Sequence, residues 1–364
     1  MNSGRAAVFF RKELLAHDFG SGHLYRVKER LDTYFALLRE KGIISKSAPV
    51  IEPKRSINED EILAVHDASL LKKIKTLSTT GGWLDGDTPV PIGTFERIGI
   101  QLGTAIEAAT LVMEGKYERA VLIGAFGGHH ATAAHTGKSF GFCYFNTSAV
   151  WVKQILRQHL AKRVLILDLD AHHGNGIQEI FYEDPSVLYI SLHMDPRYSF
   201  PGTGFVDEVG AGAGLGYNIN VPLPQKTTTQ SYLKAIDEIF IPTMENYKPD
   251  LVHLLFGSDT HHHDPLSNLS ITMDCYPAAA ERVRESADKI CGGRIITQLA
   301  GGYDIPIAAR AFYLMTGVML DTPTLDIVEP HGEIEDRAED DVAAKGNAVI
   351  TAVKQKHASL VTGL

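Results

Sequence analysis

The sequence predicts an α/β fold in which a central, mostly parallel sheet is covered by helices on both faces. Three observations carry that prediction. Strand-like apolar runs alternate with helix-like stretches along most of the chain. The runs are apolar at nearly every position, as strands buried on both faces must be. Four of them stop abruptly at polar or glycine-rich loops, and ligands of parallel sheets gather at such strand ends. The chain has 364 residues, a length that α/β folds commonly carry as one domain. One domain over residues 1–364 is therefore expected, with a motif-bearing core over about 5–320 and a peripheral tail over about 333–364.

Taken in order, AAVFF at Ala6–Phe10 predicts a first strand, and HDFGSGH from His17 to His23 an irregular loop. Apolar residues at Val27, Leu31, Tyr34, Phe35 and Leu38 recur at helical spacing, and Gly42 is placed to end that helix. Ile57–Ile74 reads as one or two shorter helices with His66 packed or capping, and Thr80–Pro91 as a loop dense in glycine, proline and aspartate. Thr94 caps a long helix to about Gly115, and AVLIG at Ala120–Gly124 is a second buried strand. Beyond it come VLILDLD, a helix over Gly174–Phe181, VLYISL, YNINVPLP, a helix over Gln230–Asn246, LVHLLFG, a helix over Cys275–Ile290 and IITQLAGG. The tail from Glu333 is acidic, then alanine-rich, and predicts a peripheral helix.

Composition narrows the function classes. Hydrophobic residues make up 44% and charged residues 22%, enough for a large core. A formal charge of −9 and no basic stripe argue against direct nucleic-acid binding. Cys143, Cys275 and Cys291 are too few and too scattered for a disulfide framework or a cysteine zinc site, which points to a cytoplasmic location. MNSGRAAVFFRKELL lacks the features of a secretory signal, and no run approaches membrane-spanning length. No membrane partner is expected, and the oligomeric state is not encoded in any readable pattern.

Chemistry concentrates in the four strand-end loops: GGHHA after Ile123, DLDAHHGNG after Leu167, GSDTHHHDP after Phe256 and AGGYD after Leu299. In an extended segment alternate side chains share a face, so Asp168, Asp170 and His172 can project together. Carboxylate and imidazole ligands suit a divalent transition metal, zinc first. Asp170, His172 and one further carboxylate would leave an open position for water. Asp259 is the leading third ligand, with His261, His262 and His263 as competitors. His129 and His130 offer a base near neutral pH, and Tyr303, on a glycine-flanked loop, a hydrogen-bond donor for a polarised carbonyl.

Together these segments resemble the zinc-dependent histone deacetylase superfamily, including acetoin-utilisation-type deacetylases, acetylpolyamine amidohydrolases and histone deacetylase-like amidohydrolases. The resemblance runs from about His17 to Met319 and rests on HDFGSGH with Arg30 downstream, AVH at Ala64–His66, GGHHA, GFCYFN, DLDAHHGNG, SLH, FPGTG, GSDTHHHDPL and AGGY. It implies an arginase/deacetylase-like fold, with Asp170, His172 and Asp259 as ligands of one catalytic zinc. It further implies His130 as general base and then acid, His129 paired with Asp168 as its electrostatic helper, Asn175 as the partner of His130, and Tyr303 as carbonyl polariser. By the same likeness Gly141, Phe142, Phe200 and Leu266 line a tunnel for an acyl-lysine stem, Asp87 is a rim group for substrate backbone, and Arg30 and Gly127 belong to an inner channel for acetate. A structural potassium ion is implied near Asp168, Asp170, His172, Ser191 and Leu192, and a second near Phe181, Val187 and Tyr217. The chain departs from the family pattern at HLYRVKER, at Ser267–Asn268 and at Ala300 before GGY, none of which removes a catalytic group.

The implied reaction is zinc-dependent hydrolysis of an N-acetyl amide to acetate and free amine. Acetyl-lysine in a protein or peptide is the first expected substrate, and an acetylpolyamine or another small acetylated amine the second. An inactive binding module on the same fold is the distant third. Leu266 gives an apolar wall where polyamine-selective relatives carry an acid, which favours the first.

Overall fold

Runs of Val, Ile and Leu with no polar face can only be satisfied inside a covered sheet, and the computed structural model builds one. It describes residues 6–20, 22–44, 50–322, 325–336 and 339–360. The first five residues, Ser21 of the HDFGSGH loop, and 337–338 and 361–364 of the predicted tail lie outside the described residues. The strands are β1 (Ala6–Phe9), β2 (Val50–Ile51), β3 (Arg119–Ile123), β4 (Val164–Asp168), β5 (Val187–Met194), β6 (Asn218–Leu223), β7 (Leu251–Phe256) and β8 (Ile295–Leu299). They form one eight-stranded sheet in the order β2-β1-β3-β8-β7-β4-β5-β6, parallel at every pairing.

Around it lie α1 (Val27–Glu40), α2 (Glu59–Leu63), α3 (Ala68–Thr80), α4 (Thr94–Met113), α5 (Thr147–Arg157), α6 (Asn175–Phe181), α7 (Thr229–Ala235), α8 (Ile241–Tyr247), α9 (Cys275–Cys291), α10 (Ile305–Met319) and α11 (Asp340–His357). Both α4 and α10 pack on β3, while α11 packs on the edge strand β6. Among the described residues no helix is long and apolar enough to cross a membrane.

Several boundaries differ from expectation for local reasons. Thr94 is the first helical residue, not the cap. Gly93 holds the cap at φ 79°, and Thr94 Oγ1 donates to Pro91 O at 2.6 Å. The single helix expected over Gln230–Asn246 is α7 and α8 joined through a wider turn at Ile236–Phe240. Pro242 has no N–H for the carbonyl four residues back, so the ladder must shift register there. Helices α5 and α10 and the two-residue strand β2 were not anticipated. α10 is buried nearly all round and so shows no amphipathic period. His66 packs between α2 and α3, where its Nε2 accepts Asn146 N–H at 2.9 Å.

Candidate functional site

The strand order explains why distant motifs meet. The four strands that end in chemistry-bearing loops, β3, β8, β7 and β4, are neighbours in the sheet and all run the same way. Their C-terminal ends therefore share one edge. Asp170, His172 and Asp259 are buried there, with one ligand-type atom from each lying within 4.8 Å of the others. His172 Nδ1 is 3.2 Å from Asp170 Oδ1 and 3.0 Å from Asp259 Oδ2, while its Nε2 faces Leu266 O at 3.3 Å.

This donor set fits a divalent cation. An imidazole whose far nitrogen donates to a backbone carbonyl has its near nitrogen held toward the ion, the usual support of a metal-binding histidine. Burial would lower the His172 pKa, yet Asp170 and Asp259 together hold it well above its ordinary value, so the pocket draws positive charge. Burial first, and then the Asp170 charge, push Asp259 up. Two buried carboxylates this close favour positive charge between them, which a bound cation would supply. The backbone leaves room for one by omitting side chains. A Cβ on Gly301 would stand 2.4 Å from Asp170 Oδ2, and one on Gly257 2.5 Å from Asp259 Oδ1. Backbone N–H groups hold the remaining oxygens: Gly301 N donates to Asp170 Oδ2 at 3.2 Å and Ala171 N to Asp259 Oδ1 at 3.0 Å.

The tandem histidines differ in their partners. His129 Nδ1 is 3.0 Å from Asp168 Oδ2, which also accepts Tyr189 O–H at 2.9 Å. Burial lowers the His129 pKa, but Asp170 and Asp168 outweigh it and the net direction is upward. His130 Nδ1 lies 2.9 Å from Asn175 Oδ1, so Nδ1 carries the proton and Nε2 keeps its lone pair. Burial first, and then the neighbouring His129 and His172, hold His130 well below its ordinary value. Its ring centroid stands 6.2 Å from that of His172, beside the cation pocket.

Phe200 meets the His130 ring edge-on at 4.8 Å, and the space for a Gly141 Cβ is taken by His130 and Phe200. Phe142, at φ 67°, packs against Tyr303 and Tyr25 with centroids 5.8 and 6.0 Å away. Burial, followed by the charges of Asp259 and Asp170, drives the Tyr303 phenol well up, so it remains a donor. A cavity of about 20 Å³, room for roughly one water, is enclosed by Tyr25, Gly127, His130, Cys143, Gly301 and Tyr303. Arg30 stands one layer behind it, donating to Ala300 O, Gly302 O and Tyr25 Oη. A separate cleft of about 840 Å³ reaches these residues only at Asn175.

Other predicted residues lie further out. Both carboxylate oxygens of Asp87 are 2.7 Å from Ser139 Oγ, which ties the 80–91 loop to the loop before Gly141. Asp168 pairs in register with Ser191 across β4 and β5, with Leu192 next along. Phe181 ends α6, Val187 begins β5 and Tyr217 precedes β6. The triple histidine separates: His261 is buried against Glu329, while His262 and His263 face solvent. Sequence reasoning gave no role to Asp264, a buried carboxylate that accepts Tyr303 N–H at 2.8 Å and Leu266 N–H at 3.0 Å. Its only signal was a carboxylate before proline in a strand-end loop.

Residues 24–319 match the model of the histone deacetylase domain. The chain belongs to the histone deacetylase family. It is 38% identical over 299 residues, 82% of this chain and 81% of the other, to a probable deacetylase of Archaeoglobus fulgidus. It is 36% identical over 261 residues to the acetoin utilization protein AcuC of Bacillus subtilis, covering 69% of this chain and 66% of that one. The crystal structure of the HDA15 HD domain superposes with a TM-score of 0.83 at 27% identity, covering 98% of this chain and 95% of that one. Family membership supports hydrolysis of acetyl amides and implies zinc, for which the buried Asp–His–Asp group is a candidate holder.

Proposed function

We propose that this chain is a zinc-dependent deacetylase of acetyl-lysine in proteins or peptides, releasing acetate and the free amine. The observation that carries the reading is the geometry of His130, whose Nδ1 is held by Asn175 at 2.9 Å and whose ring stands 6.2 Å from that of His172 in the buried Asp170, His172 and Asp259 set. A zinc ion held by those three residues would supply a Lewis acid for the amide carbonyl and the attacking water. His130 Nε2 takes a proton from that water, Asn175 holding the ring by its Nδ1–H. Tyr303 donates its hydroxyl hydrogen to the developing oxyanion, and His130 then returns the proton to the leaving amine. His129, paired with Asp168, keeps positive charge beside the reacting centre. The acyl-lysine stem lies between Phe142 and Phe200, with Leu266 as apolar wall and Asp87 at the rim accepting substrate backbone N–H groups.

The reading extends to one catalytic domain over the chain and a cytoplasmic location, which three buried free cysteines suit. It also includes potassium beside Asp168 and Ser191. Zinc-loaded protein should be assayed against acetyl-lysine peptides and acetylpolyamines side by side. Higher kcat/KM on the peptides supports the proposal, and higher kcat/KM on acetylspermidine replaces it with the small-amine reading. Chelation should abolish activity, with zinc restoring it.

A further inference from the structure

The family match ends at residue 319, yet the chain returns to the site beyond that point. Segment 325–336 contacts the loops that follow β7 and β8 and is fastened at several places. Asp326 N donates to Tyr313 Oη at 3.2 Å, and Asp336 Oδ1 accepts Thr229 N–H at 2.9 Å. Between those anchors two residues grip the site loops. His261 is wholly buried; its Nδ1 accepts His263 N–H at 3.2 Å, so its Nε2 carries the proton and donates to Glu329 Oε2 at 3.0 Å. Glu329 Oε1 accepts Met273 N–H at 2.6 Å. Two residues beyond Glu329, His331 Nε2 lies 2.9 Å from Asp304 Oδ2, directly after Tyr303. Asp264, in the same loop as Asp259, accepts Tyr303 N–H.

We infer that Glu329 and His331 are positioning residues: segment 325–336 is a strap that ties the Asp259 loop to the Tyr303 loop and sets how tightly the site holds its metal. The inference rests on the reading of Asp259 as a ligand and Tyr303 as the oxyanion donor. The chemistry favours it over simple surface packing. An exposed ion pair would contribute little, but His261 is inside the protein, and its imidazole N–H has no solvent to fall back on. His261 is also bonded through its own backbone to Ser258 O, which closes the turn holding Asp259.

The test uses full-length zinc-loaded protein, with zinc affinity read by chelator competition and kcat and KM read separately. Glu329→Ala should weaken zinc binding about tenfold or more, within the range that outer supports of metal ligands contribute. Glu329→Gln keeps one acceptor of two and should fall between that variant and wild type. His331→Ala should lower kcat several-fold with KM and zinc content unchanged, because its one hydrogen bond here is to Asp304 beside Tyr303, and it meets the Asp259 loop only through an edge-on ring contact with His263 at 5.3 Å. A merely structural strap would lower the Tm of Glu329→Ala while zinc affinity and kcat, measured well below that Tm, stayed at wild-type values; that result overturns the inference. If Glu329→Ala does not fold, wild-type zinc affinity in Glu329→Gln together with wild-type kcat in His331→Ala overturns it equally. Asp259→Ala separates the two layers of argument. Loss of zinc there with none in Glu329→Ala defeats the strap alone, and retained zinc in Asp259→Ala defeats both.

Discussion

Two of the histidine runs that follow central strands, those after β3 and β7, differ in almost everything but residue type. His129 and His130 follow β3, and both are buried, each with a partner for its Nδ1: the carboxylate of Asp168 and the amide of Asn175. His261, His262 and His263 follow β7; the first turns inward to Glu329 and the other two remain in solvent. A strand-end histidine becomes part of a site when its ring faces the point where neighbouring strands converge and its second nitrogen is held. His130 meets both conditions. His261 meets only the second, so its place is in supporting the loop.

The largest expected effect would break this contrast outright. His130→Ala should lose at least about 10²-fold in kcat, the lower end of what general acid–base groups contribute. His129→Ala should lose less, since it leaves the proposed proton carrier His130 in place. A larger loss from His129→Ala would exchange their roles. Tyr303→Phe should lower kcat with zinc content intact, because a hydrogen bond that forms with the oxyanion is all that is removed. A wild-type rate would return Tyr303 to packing.

The same contrast measures how far the sequence could be read. The fold was legible because a parallel sheet writes itself as apolar runs, and the site edge because four of those runs ended in Asp, His or Tyr. β2, only two residues long, and the uniformly apolar α10 left no periodic trace. Within the site, the Asp and His residues of one loop announced themselves by spacing. Their supports did not: Asp264 reaches Tyr303 across 39 positions and Glu329 reaches His261 across 68. Such contacts depend on which loops the strand order brings together, and no local pattern encodes that order. Likeness alone suggests a rim role for Asp87, and nothing local to its loop encodes the double contact with Ser139, 52 positions away.

His261→Ala should have an intermediate effect of another kind. It leaves Glu329 partly buried with Met273 N–H but without its imidazole donor, a loss of about 1–3 kcal/mol, read as a lowered Tm. At saturating zinc, kcat should fall far less than in His130→Ala. A loss matching that of His130→Ala would place His261 among the reacting groups and erase the contrast.

The smallest effect is the sharpest check on the exposed members. His262 and His263 point into solvent, and burial, slight as it is, leads the neighbouring histidines in lowering the His263 pKa. His263 gives His261 its backbone N–H, which alanine retains, and its exposed ring meets those of His261 and His331 only at centroid distances of 5.9 and 5.3 Å. His262 Nδ1 has only a 3.4 Å contact with Ser270 Oγ at the surface. His262→Ala and His263→Ala should therefore stay within about 0.5 kcal/mol of wild-type stability, as surface changes do, and keep zinc content and kcat. Loss of zinc from either variant would bring that imidazole into the ligand set, and Asp259 would have to surrender its place to a histidine.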